Sequence, residues 1–187
     1  MTPAAASSGV FALGRFAETI GSASWFAACG EPLTIAEQDD AACWMASFGM
    51  KISGIDPVAS WGEAGRLAKS PHWSRAWWDA EEEERKRLYV AAVEAAGEAA
   101  LLAALTRVTD AATRLLHGAA SVAASRAGVA DPALTRVAAG AAGQACYQAA
   151  LVLAADAGDT HPFAAKHRLF LAGRWPLGVV GERCFVF

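Results

Sequence analysis

Residues 131–158 read DPALTRVAAGAAGQACYQAALVLAADAG, and this stretch decides the fold class. Asp131 followed by Pro132 marks a helix start: aspartate is an N-cap acceptor, and proline suits the first helical position, where an N–H is not needed. No charge occurs from Val137 to Ala155, and Gly158 supplies the stop. Ala138, Gly140, Ala141, Gly143 and Ala145 give this helix a nearly smooth surface on which neighbouring helices can press their backbones. Its length raises a membrane span as an alternative. The alanines, the glycines, Gln144 and Gln148 favour lipid only weakly, so the segment is read as the central helix of a bundle in water.

The chain around it has 187 residues, 55% of them hydrophobic, with a net charge of −3. That length suits one domain able to bury a core unaided, and the composition excludes disorder, collagen and a disulfide scaffold. The net charge excludes a general nucleic-acid binder, which needs a basic face to displace counterions. Cys29, Cys43, Cys146 and Cys184 show no C-x-x-C spacing and are expected to be reduced, small and buried. No basic residue precedes an apolar run at the N-terminus, so a secretory leader is not expected and the location is read as cytoplasmic.

Upstream, residues 1–8 are expected to fray, with one helical domain over 9–187. Val10 to Ala28 reads as a first helix, carrying Phe11, Phe16, Ile20 and Phe26. Thr34 and Glu37 match a capping box opening a helix to about Phe48, with Cys43, Trp44 and Phe48 inward. The glycines and Asp56-Pro57 make 49–60 a connector, and Ser60 with Glu63 opens a short helix to about Lys69. From Asp79 to Gly128 there is no proline, so one very long helix or two with a break are expected. Its opening run, Glu81 to Arg87, reads as a solvated first turn with pairs Glu81–Arg85, Glu82–Lys86 and Glu83–Arg87. Leu101, Leu105, Val108, Ala112, Leu115, Ala119 and Val122 form a heptad-like seam of the kind that packs helices at about 20°.

Downstream, His161-Pro162 opens a last helix ending at Gly173. A small C-terminal hairpin is expected over 175–187, turning at Gly181-Glu182. The fold class is therefore all-α: an alanine-rich bundle of about five to seven helices with that hairpin appended.

Chemistry is sparse. No nucleophile elbow or phosphate loop occurs, no cofactor motif is found, and the glycines at 140 and 143 lie inside a helix whose amides are committed. Glu94 and Glu98 would face the core if the seam extended backward, but Val90, Val93 and Gly97 offer a competing stripe that places them at the flank. His117 belongs to a polar stripe with Arg107, Asp110 and Arg114. Asp156, Asp159 and His161 gather at a helix junction, where capping explains them as well as a metal does.

Two features rise above this background. One is the aromatic segment Trp61, His72, Trp73, Arg75, Trp77 and Trp78, which suits a partner surface, a pocket for a planar ligand, or a hydrophobic corner. The other is the basic end: Lys166, Arg168, Arg174 and Arg183 face Glu182 alone over 160–187, beside Trp175. It either docks on the acidic bundle or receives an anion or partner. The expected function is a non-catalytic binding or accessory module engaging another protein or a second copy of itself. The alternative is a small enzyme or ligand-binding protein using Glu94, Glu98 and a histidine between helices, with or without a metal.

Overall fold

A computed structural model describes residues 13–46, 48, 49 and 51–187; the expected frayed tail, Val10 and Phe11 lie outside them. The first helix, α1, covers 13–19 and passes into a 3-10 turn at Ile20–Ser22. It therefore stops well short of Ala28. Thr19 and Ser22 turn their hydroxyls onto the carbonyls of Phe16 and Thr19, a local bonding that competes with helix propagation. Next come α2 (Ile35–Ala46), β1 (Gly54–Pro57), α3 (Trp61–Ala68), α4 (Arg75–Ala96) and α5 (Glu98–Arg126). They are followed by α6 (Pro132–Ala155), α7 (Pro162–Leu171), β2 (Pro176–Val180) and β3 (Arg183–Val186).

Helix starts obey their local chemistry. Thr34 Oγ1 accepts from the Glu37 amide while Glu37 Oε2 accepts from the Thr34 amide at 2.7 Å, closing the capping box. Asp131 Oδ1 takes the amides of Ala133 and Leu134, both at 3.0 Å. At α7 the cap is the imidazole of His161, whose Nδ1 accepts from Phe163. Between α4 and α5 the chain turns by 118° at Gly97, whose φ of +80° a side chain would resist. The long proline-free stretch is thus two helices.

α6 is central, packed on α5, α4 and α7. It has the length and apolar composition of a membrane span, with 56% of its apolar window buried inside the fold. Against it α5 buries Leu101, Leu105, Val108, Ala112, Leu116, Ala120 and Ala124. The heptad seam therefore holds only to Ala112, and Leu115 and Val122 face solvent. Beyond that point burial advances by fours, along the ridge that winds around a straight helix, because no supercoil holds the contact at a 3.5-residue period.

Three strands occur among the described residues, in the order β1-β3-β2. The hairpin β2–β3 is antiparallel as expected, but β1 adds to β3 in parallel, pairing Gly54 with Arg183 and Pro57 with Val186. The supposed connector is thus an edge strand, where proline's missing donor is tolerated. Asp56 bonds the Arg183 guanidinium on the neighbouring strand. The other edge, β2, is covered by the segment before α4: Trp73 bridges Val180, and the Ser74 amide donates to Val179 O at 2.9 Å. One apolar cluster fills the bundle, and a second, including Trp44, Trp77, Leu169 and Val179, lies between α2, α7 and the sheet.

Candidate functional site

The pairing of residues 73 and 74 with β2 fixes where α4 begins. Ser74 Oγ accepts from the Trp77 amide, so the helix starts at Arg75 rather than near Asp79, and no acid lies in its first turn. The helix face that buries Trp77 then carries Glu81, Leu88 and Ala92 inward at steps of four and seven. Glu81 is 0% exposed, which corrects the reading of the acidic run as solvated. Its loss shifts the surface pairs by one residue, to Glu82–Arg85 at 2.8 Å, Glu83–Lys86 at 3.8 Å and Glu84–Arg87.

Two helices answer Glu81. Lys166 of α7 places Nζ 2.5 Å from Glu81 Oε1, and Gln148 of α6 donates Nε2 to the same oxygen at 3.4 Å. The Lys166 ammonium also lies 5.3 Å over the Trp44 ring. Glu81 Oε2, Gln148 Oε1 and the indole nitrogens of Trp44 and Trp77 are buried without a protein hydrogen-bond partner.

A pocket of about 240 Å³ reaches this ion pair. Trp73, Trp77 and Trp78 form one wall; Trp175, Pro176 and Leu177, leading into and along β2, form another; Val137, Ala141 and Gln144 of α6, with Ala68 of α3, complete it. Trp73 and Trp77 meet edge to face at 6.1 Å. Both rest on Gly178, where an added Cβ would fall 2.8 Å from Trp73 Cη2 and 2.9 Å from Trp77 Cζ3. Trp77 and Trp175 are 2% exposed and Trp78 37%, so the tryptophans turn inward and Trp78 stands at the mouth. A larger hollow of about 340 Å³ beside Cys29, Trp61 and Arg126 offers less. Burial pushes the Cys29 thiol up to about 12, and its Sγ is bonded to the carbonyls of Gly173 and Phe187.

No family model, characterised protein or solved structure matches the chain.

The sequence candidates divide sharply. Trp73, Trp77, Trp78, Lys166 and Trp175 converge on the pocket, joining the aromatic segment to the basic end. Trp61 instead packs in the core against Phe187 at 5.2 Å and Trp175 at 5.9 Å. His72 is exposed, and Arg75 is exposed and bonded to Asp79. Arg168 and Arg174 do not await an anion. Arg168 bonds Asp40 at 2.6 Å and the Asp159 carbonyl at 2.7 Å, and Arg174 is buried on both oxygens of Glu37. Glu94, Glu98 and His117 are exposed, so the inward carboxylate pair is not formed. Asp156 and Asp159 are exposed as well, while His161 caps α7 and donates Nε2–H to Glu84 at 3.2 Å. Among the described residues no three histidines, cysteines or acids gather as metal ligands would. Glu81, Gln148 and Ala141 escaped sequence reasoning; continuing the inward stripe of Trp77 backward from Leu88 would have found Glu81.

Next to Lys166, His167 stacks on Phe16 at 5.1 Å and approaches Trp25 edge-on. Burial, helped by the Arg168 charge, lowers its pKa from 6.5 to about 4. Below pH 6.5 the unfolded chain takes up a proton that the folded chain refuses. This residue's contribution is therefore intact above pH 6.5 and shrinks as the pH falls toward 4. The expected loss between pH 7 and pH 5 is about 2 kcal/mol, seen as a falling urea midpoint that His167→Phe makes flatter. Glu37 and Asp56, whose carboxyls are held low, yield only at lower pH.

Proposed function

We propose that the protein binds a small molecule in the tryptophan-lined pocket. The observation that carries this is the convergence of Trp73, Trp77, Trp78 and Trp175 on a hollow of about 240 Å³ that reaches the buried Glu81. Protein interiors pack to crystal density, and a hollow with apolar walls and a few convergent polar groups is the usual form of a ligand site. The hollow has room for a ligand because Ala141 of α6 and Ala68 of α3, beside Val137 and Gln144, bring only small side chains to its lining. Small residues therefore serve recognition here as well as close helix packing. An enzymatic role for Glu94, Glu98 and His117 gains no support from their exposed positions.

Ala141→Leu tests the proposal by filling the space. Saturation-transfer NMR with single-ring fragments is expected to show binding to the native protein and at least about a tenfold loss in the variant, whose stability stays within about 3 kcal/mol of native. No fragment binding, or binding indifferent to Ala141→Leu, would refute the site.

A further inference from the structure

Resting on that assignment of the pocket, we infer that its ligand is an uncharged planar molecule that gives an N–H or O–H hydrogen bond to the free carboxylate oxygen of Glu81. The two oxygens of Glu81 are treated unequally. Oε1 receives both the Lys166 ammonium and the Gln148 amide, whereas Oε2 is buried with no protein donor. A desolvated carboxylate oxygen without a donor is costly, and a ligand donor that reaches it removes that cost.

Charge narrows the class. Glu81 and Lys166 cancel as a pair at 2.5 Å. A cationic ligand would find the carboxylate's charge already balanced by Lys166, and an anionic one would meet the carboxylate itself. Gln144, the other polar residue of the lining, already donates its amide to Glu82 at 3.4 Å, and Glu82 is taken up by Arg85. Neither supplies a counter-charge. Shape narrows it further. Indole walls favour offset stacking and edge contacts with a flat ring, and about 240 Å³ suits one ring or a fused pair.

Phenol, toluene and benzylammonium share a ring and offer Glu81 a hydroxyl, a methyl and an ammonium on one methylene. Isothermal titration at pH 7 is expected to find phenol binding at least about tenfold more tightly than toluene, with benzylammonium no better than toluene. Toluene equal to phenol would overturn the donor requirement while leaving the pocket assignment intact. Benzylammonium as the tightest would overturn the uncharged class. If none of the three bound, the pocket assignment would fail too. Glu81→Leu/Lys166→Met, which removes the carboxylate together with its partner, is expected to keep toluene binding and abolish the phenol preference. A preference that survived in this variant would show that Glu81 is not the acceptor, and the three-ligand comparison on the native protein stands apart from the variant's folding.

Discussion

Lys166→Met alone is expected to destabilise the protein by about 3–5 kcal/mol, because it leaves the carboxylate of Glu81 charged, buried and without its cation. Glu81 is 0% exposed and Lys166 5% exposed, so the pair is held away from bulk solvent. Pairing the change with Glu81→Leu removes both charges at nearly constant volume, and the double variant is expected to recover most of the loss or exceed the native stability. Urea midpoints at pH 7 for the three proteins read this directly. A single variant within about 1 kcal/mol of native would mean that the pair is solvated, since exposed pairs contribute no more than that.

Arg174→Met is the second large effect. The Arg174 guanidinium reaches Glu37 Oε1 at 2.9 Å and Oε2 at 3.1 Å. It also donates to the carbonyls of Ala28, Glu31 and Pro32, tying the loop before α2 to the start of the sheet region. Removing it takes the cation from a largely buried carboxylate and a donor from each of three carbonyls. A loss of about 3–5 kcal/mol is expected, with amide exchange rising first around residues 27–34. Arg174→Lys is expected to rescue only part of this, because an ammonium cannot reproduce the planar fork that serves the carboxylate and three carbonyls together. Full rescue by lysine would contradict the geometry.

These two residues show how far the sequence could be read. Elements with local signals were legible: Thr34 with Glu37, Asp131 with Pro132, His161 with Pro162, and the turn at Gly181-Glu182 all start or join elements where expected. Elements set by distant partners were not. β1 contains glycine, aspartate and proline, residues that read as a loop, and becomes a strand only because β3 lies beside it. The burial of Leu116 rather than Leu115 depends on how α5 crosses α6. The site divides in the same way. Its tryptophans were visible as a cluster, and the basic end was visible as a charge asymmetry. That Lys166 would cross to Glu81 was hidden, because charge runs on helices are normally solvated and the run's true start depends on pairing with β2. Arg168 and Arg174 followed the internal docking that the asymmetry allowed.

The central claim is that indole walls and one free carboxylate oxygen make this hollow a receptor for a small flat donor. A crystal of the protein soaked with phenol measures it most directly. The expected result is density for the ring between Trp77, Trp175 and Ala141, with its hydroxyl within hydrogen-bonding distance of the Glu81 carboxylate. Phenol bound only on the outer surface, or indoles closed over the hollow with no room for a ring, would contradict the account.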